Sequence, residues 1–279
     1  MANDLKNLHL AFIGCGVMGE SMLAGLVKND LIDPNKIVVS HPRRSRCDEL
    51  TAKYGVDASE SNSAAAHVVV GEPNSAIIIC VKPQRLQKVL EDLNNILCPG
   101  QLVISIVAGA RIEHLADELG TAKIVRAMPN TPSQIGAGIT AWTCTNAVDE
   151  AERGHVREML SALGKELFVE TENMIDMATS LSATGPTYIF MVMEALTDAG
   201  VHLGFSRDMA KELVQETMLG SVKFAMESHK HPAELRNMVT SPGGTSAEAI
   251  YQMEKGSLRT VLSKAVYAAY KRAVDLGKK

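Results

Sequence analysis

The sequence predicts a doubly wound α/β domain over residues 1–172, followed by an all-helical domain over 173–279. Three observations carry that reading. Short, nearly continuous apolar runs alternate with helical stretches through the first half. A glycine-rich turn joins the first run to the first helix. After Glu172 strand-like runs nearly vanish.

The runs are LHLAFIG (8–14), KIVVS (36–40), SAIIICV (75–81), LVISIVA (102–108) and AKIVRAM (122–128). β-Branched residues in such runs suit strands buried on both faces of a parallel sheet. Helical segments such as RIEHLADELG lie between them, which gives the βαβ alternation of a doubly wound sheet. Two more candidate strands, AGITAWT and ELFVET, flank a helix near 149–162. Beyond the boundary, PTYIFMVMEALTDAG is apolar on almost all sides and is expected to be deeply buried. The last helix, from Ser257 to Leu276, carries an apolar stripe from Leu258 through Val261, Leu262, Ala265, Val266, Ala269 and Tyr270 to Ala273.

Composition narrows the function classes. The chain has 279 residues, 46% hydrophobic and 22% charged, which is ordinary for a globular protein of one or two domains. A net charge of -4 offers no basic surface for nucleic acid. Cys15, Cys47, Cys80, Cys98 and Cys144 are scattered and never form C-x-x-C. That pattern suits reduced thiols in the cytoplasm and gives no metal site. The opening stretch MANDLKNLHLAFIG holds only a short apolar run, too short for a membrane span and without the layout of a signal peptide.

Gly14, Gly16 and Gly19 form G-x-G-x-x-G between a predicted strand and a predicted helix. In that context Gly14 permits the tight turn and Gly16 lets a pyrophosphate approach the backbone. Gly19 allows close packing, and the helix N-terminus faces the phosphates. An NAD-type site wants an acid at the end of the second strand, about 20 residues on. Here that strand runs into Ser40, His41, Arg43, Arg44 and Arg46, with no Asp or Glu among them. Hydroxyl and guanidinium donors suit a 2′-phosphate, which points to NADP(H) as cofactor, with NAD(H) used less well. VKPQ (81–84) and AMPNTP (127–132) end two later strands on the edge where open α/β sheets bind ligands. Lys82 there favours a cofactor-side role.

One late stretch, TSPGGTSAEA (240–249), joins a proline and two glycines to hydroxyl residues and a helix-forming run. Thr245 and Glu248 have the spacing of a capping box. The same helix start also bares backbone N–H groups toward an anion.

Taken in order, FIGCGVMG, VKP, RAMPNTP, SATGPTYIF and LRNMVTSPGGTSAEAI resemble the pyrroline-5-carboxylate reductase family over essentially the whole chain. The family favours a serine-glycine-serine-glycine-proline run where this chain has Ser182, Ala183, Thr184, Gly185 and Pro186. It favours a double threonine where Thr245 and Ser246 stand. The resemblance implies an N-terminal Rossmann-like domain and a C-terminal helical domain forming an intertwined homodimer, with higher oligomers built from dimers. It implies hydride transfer from a reduced nicotinamide to the C=N carbon of a five-membered cyclic imine, giving L-proline. Gly14, Cys15, Gly16, Val17, Met18, Gly19, Ser40, Arg43, Asn62, Val81, Lys82 and Pro83 are then expected at the cofactor. Asn62 also reads as a helix N-cap ahead of SAAAHVVV.

The substrate of that family carries a carboxylate beside an imine nitrogen. The expected arrangement has Ser241 and the N–H groups of Gly243, Gly244 and Thr245 on the carboxylate, and the Ser246 hydroxyl, as the catalytic contact, on the ring nitrogen. An iminium can enter already protonated, so the chemistry needs little more than orientation. That accords with eight histidines that form no spaced cluster. Two other readings stand beside this one. A β-hydroxyacid dehydrogenase would share the architecture, but its G-x-x-x-N-x-x-K helix has no counterpart in GPTYIFMVMEALTDAG. A non-catalytic NADP-sensing protein would keep the first glycine loop without needing the second.

Overall fold

A computed structural model describes residues 4–278. Met1–Asn3, which open the stretch read as lacking a signal-peptide layout, and Lys279, which ends the expected helical domain, lie outside the described residues.

Among the described residues eight strands form one sheet: β1 (His9–Ile13), β2 (Ile37–Ser40), β3 (Asp57–Ser59), β4 (Ser75–Ile79), β5 (Leu102–Ser105), β6 (Ile124–Met128), β7 (Gly138–Cys144) and β8 (Gly164–Phe168). Their spatial order is β3-β2-β1-β4-β5-β6-β7-β8, and every neighbour is parallel except the antiparallel pair β6–β7. The helices of this part are α1 (Val17–Lys28), α2 (Arg44–Tyr54), α3 (Asn62–Val69), α4 (Leu86–Leu93), α5 (Ile112–Leu119), α6 (Glu150–Ser161) and α7 (Glu172–Ala178). All the apolar runs read as strands are strands. β3 was not foreseen, because its three residues Asp-Ala-Ser carry no apolar run and sit at the sheet edge.

The continuous apolar runs follow from two-sided burial. Leu10, Phe12, Val39 and Ile78 join one core, while Ala11, Ile13, Val38 and Ile77 join another. Alternate residues of each strand point to opposite faces, and both faces are covered. Chain order reverses between β1 and β4, so the crevice at their carboxyl ends is the topological switch point.

The chain then runs through α8 (Gly185–His202), α9 (Arg207–Ser228), α10 (Pro232–Met238), α11 (Thr245–Lys255) and α12 (Leu258–Leu276). By packing, one compact unit comprises residues up to Thr184 together with those from Ala269 onward, and a second spans Gly185–Ala268. The change of texture at residue 172 therefore precedes the packing division. The reason is a buried ionic cluster. Arg126 on β6, 1% exposed, pairs with Glu172 at 2.8 Å and with buried Asp176 at 2.7 Å. Arg111 approaches Asp176 at 3.0 Å, and Glu172 also accepts the Ile112 N–H at 2.9 Å. These bonds hold α7 to the sheet, although its sequence already reads as helix.

Within the second unit α8 and α9 pack closely where a Cβ at Gly200 would lie 2.9 Å from that of Ala210. The expectation that residues 186–200 are deeply buried does not hold in the single chain. None of the described residues of α8 is buried, and Phe190 and Met191 are more than half exposed. So large an apolar surface in water is the mark of a helix meant for another chain.

Candidate functional site

The turn after β1 has the geometry that its glycines foreshadow. Gly14 has φ of +79°, and a Cβ there would fall 2.1 Å from Val81 Cγ1. Gly16 is the N-cap of α1 and makes no side-chain cap bond; a Cβ there would find no protein atom closer than 3.8 Å. A Cβ at Gly19 would fall 2.6 Å from Cys80 Sγ, so that glycine serves packing of α1 on β4. The open N-terminus of α1 thus meets a cavity of about 830 Å³, within the usual range for small-molecule sites.

Eight of the expected cofactor residues line that cavity: Gly14, Gly16, Val17, Met18, Asn62, Val81, Lys82 and Pro83. The other four do not. Cys15 is fully buried beneath the turn, and burial, above all, pushes its thiol up to about 12. Gly19 lies behind the wall. Arg43 is exposed beside the cavity, where its neighbours His41 and Pro42 form the rim.

Ser40 requires a correction. It is fully buried; its Oγ accepts the Gly14 N–H at 2.9 Å and donates to Asn62 Oδ1 at 2.7 Å. A hydroxyl so engaged braces the glycine turn from below and has no donor left for a 2′-phosphate. The cap reading of Asn62 is also corrected. The N-cap of α3 is Ser61, whose side chain accepts the Ala64 N–H. Asn62, one residue later, donates to Asp92 Oδ2 at 2.9 Å. Lys88, chiefly, and then Asn62 hold the Asp92 carboxyl below its usual range. Gly14, Ser40, Asn62, Asp92 and Lys88 form one chain of bonds from the turn to α4.

Of the three arginines after β2, two are already engaged. Arg44 pairs with Asp48, and Arg46 pairs with Glu20 and Glu49. Burial would raise the Glu20 carboxyl, but hydrogen bonds from Lys53, Arg46 and Tyr54 outweigh it and hold it at about 2. Among the described residues Arg43 makes no ion pair, which leaves it as the guanidinium open to a phosphate. An NADP-type dinucleotide fits these residues: a helix N-terminus free of side-chain caps, a glycine turn with space above it, and an unpaired arginine beyond β2.

Sequence reading missed Arg85, Lys88 and Asp92 in the cavity wall. Their signal was present. They recur at i, i+3 and i+7 along QRLQKVLEDL, on the face opposite buried Leu86, Leu90 and Leu93. Asn130 of AMPNTP was missed as well. Its Oδ1 accepts the Ile139 N–H at 2.9 Å, and its Nδ2 donates to the Ser182 carbonyl at 3.2 Å. Residues Thr179–Ala183 there form a π-helical turn, a feature frequent at functional sites.

In the second unit, TSPGGTSAEA begins α11, but without the capping box. The N-cap is Gly244, Thr245 is the first helical residue, and no side chain caps the end. Gly243 has φ of +70°, which favours glycine, and a Cβ on Gly244 would fall 2.5 Å from Ser241 Oγ. The Gly244 N–H is engaged too: it donates to the Ser241 carbonyl at 3.0 Å. Among the described residues the N–H groups of Gly243, Thr245 and Ser246 donate to no protein acceptor. Of the N–H groups expected at a carboxylate, that of Gly244 is therefore taken, and those of Gly243 and Thr245 are open, as is that of Ser246 beside them.

Two family models match. Residues 172–276 match Pyrroline-5-carboxylate reductase dimerisation, and residues 9–109 match NADP oxidoreductase coenzyme F420-dependent. The chain is 37% identical over 273 residues to the pyrroline-5-carboxylate reductase of Synechocystis, covering 98% of this chain and 100% of that protein. A pyrroline-5-carboxylate reductase structure from Coxiella burnetii superposes with a TM-score of 0.86 at 36% identity, over 97% of this chain and 99% of that one. The Plasmodium falciparum pyrroline carboxylate reductase, solved with NADP bound, gives 0.88 at 30% identity over 98% and 99%. Among the described residues no helix is long and apolar enough to cross a membrane. The glycine turn under a cavity of small-molecule size, the bare start of α11 and this likeness over nearly the full length agree on one conclusion: the chain belongs to the pyrroline-5-carboxylate reductase family.

Proposed function

We propose that this oxidoreductase reduces L-1-pyrroline-5-carboxylate to L-proline with NADPH, and that α1 and α11 divide the binding work. The observation that carries the reading is the pair of glycine-bearing helix starts, neither closed by a side-chain cap. At the first, the turn at Gly14 and Gly16 and the N-terminus of α1 at Val17 and Met18 take the pyrophosphate, with Lys82 and Pro83 on the facing wall and exposed Arg43 toward the 2′-phosphate. A reduced nicotinamide bound there supplies hydride for the C=N carbon. At the second, Ser241 and the N–H groups of Gly243, Thr245 and Ser246 hold the substrate carboxylate, while Ser246 Oγ accepts a hydrogen bond from the iminium nitrogen. The protein needs no acid of its own when the iminium arrives protonated; it orients the ring. The working unit is a homodimer joined through α8–α12, assembled into higher oligomers in the cytoplasm.

The activity is tested by following NADPH oxidation with pyrroline-5-carboxylate against a 2-keto acid and a 3-hydroxy acid. Turnover with the imine alone is expected; turnover with the other two alone overturns the reading. For the substrate site, Ser246→Ala is expected to lower kcat/KM for the imine about 10- to 100-fold, as for loss of one charge-assisted bond. NADPH affinity and Tm should stay in place. Full activity in that variant would mean that the loop is a helix start only. For the cofactor site, Arg43→Ala should cut kcat/KM with NADPH about ten-fold or more and spare NADH. Equal losses with both cofactors would remove Arg43 from the 2′-phosphate.

A further inference from the structure

Ser40 ends β2 with its side chain buried, so the next residue, His41, turns to the cavity and forms its rim. This is where a dinucleotide site of the NAD type presents its acid to the ribose hydroxyls. His41 is tied down on three sides. Its N–H donates to the Ser59 carbonyl at 3.0 Å, its carbonyl accepts the Cys47 thiol, and its Nδ1 accepts the Arg43 N–H at 3.2 Å. The last bond is a side-chain turn of the kind Asn and Asp make to the residue two places on. It fixes Arg43 as the N-cap of α2. An Nδ1 that accepts leaves the imidazole proton on Nε2. An accepting Nδ1 is that of a neutral ring, and burial, followed by the charges of Arg43 and Arg46, acts in the same direction by holding the imidazole below its usual pKa.

We propose that His41 decides cofactor choice: it positions Arg43 through Nδ1 and fills, with a neutral donor, the place an acid would take in an NAD-selective site. The inference rests on the NADPH reading above and assigns its specificity to one residue. It makes distinct demands on three substitutions. Asn keeps the turn to Arg43 and stays neutral. Ala loses the turn. Asp keeps the turn but sets a negative charge where the 2′-phosphate must come.

The test is binary binding of NADPH and of NADH, measured by calorimetry on the full-length protein without imine, with thermal melting as a check of folding. His41→Asn should leave the ratio of the two affinities within about three-fold of wild type. His41→Ala should weaken NADPH several-fold and leave NADH in place. His41→Asp should move the ratio toward NADH by about 10- to 100-fold, as for the removal of one charge-assisted bond. A ratio unchanged in His41→Asp, or Ala and Asn variants that behave alike, overturns the proposal. So does equal loss of both cofactors in every variant, which would make His41 a structural residue only. A wild type that binds NADH better than NADPH would instead overturn the reading of the loop.

Discussion

Gly14→Ala is expected to raise the Kd for NADPH by at least about 100-fold. Two penalties coincide at that residue. Its φ of +79° lies in the left-handed region, where an L side chain costs roughly 1–2 kcal/mol. A Cβ would also sit 2.1 Å from Val81 Cγ1, on the facing wall of the cavity, so the turn or the Val81 side chain must give way. Where the turn gives way, the Gly14 N–H leaves Ser40 Oγ, and that hydroxyl's hold on Asn62 is disturbed with it. Gly16→Ala separates the effects, because nothing in the protein lies within 3.8 Å of the added methyl. It should lose cofactor while its Tm stays near wild type, whereas Gly14→Ala should lose both. Calorimetric titration and thermal melting read the two quantities. NADPH binding within three-fold of wild type in Gly14→Ala would show that the turn tolerates a side chain and that the phosphates lie elsewhere.

Arg126→Ala is expected to destabilise the first unit by about 3–5 kcal/mol, the usual cost of leaving a buried ion without its partner. That corresponds to a fall in Tm on the order of 10 °C for a unit of this size. Arg126 bonds to two carboxylates of α7, and both Arg126 and Asp176 are about 1% exposed. Arg111 still reaches Asp176, so the loss should not be total. The residues that follow, through the π-helical turn to Ser182, rest on α7, and their amide hydrogen exchange should accelerate more than that of β1 or β4. A Tm change of less than 2 °C would show that α7 is held by its apolar contacts alone.

Periodicity and local chemistry alone made most of the first unit legible. Unbroken apolar runs such as SAIIICV and LVISIVA mean burial on both faces, and two-sided burial means parallel strands under helices. Gly14 was legible because only a residue without Cβ meets the demands of that turn, and Gly16 because a bare backbone is what a phosphate needs beside it. What tertiary structure decided was the direction of polar side chains. Ser40 and His41 are adjacent and both polar, yet the strand alternation buries one under the glycine turn and gives the other to the cavity. Arg43, Arg44 and Arg46 look alike in sequence, but Glu20, Asp48 and Glu49 claim two of them, and Glu20 comes from a different helix.

At the start of α11 the motif T-x-x-E suggested a capping box, and the backbone instead placed the cap one residue earlier, on Gly244. The packing of α7 against the sheet was hidden for a related reason. Composition marks residue 172, but Arg126, 46 residues earlier, reaches across to α7 and keeps it with the sheet. Sequence by itself therefore determined the elements, the glycine turn and the family, because those depend on residues near one another along the chain. Which polar group faces ligand, which is paired and which only braces a turn was decided by tertiary structure. A side chain's partner is set by what lies opposite it in space, and hydrogen bonds are too short-ranged to be read from spacing.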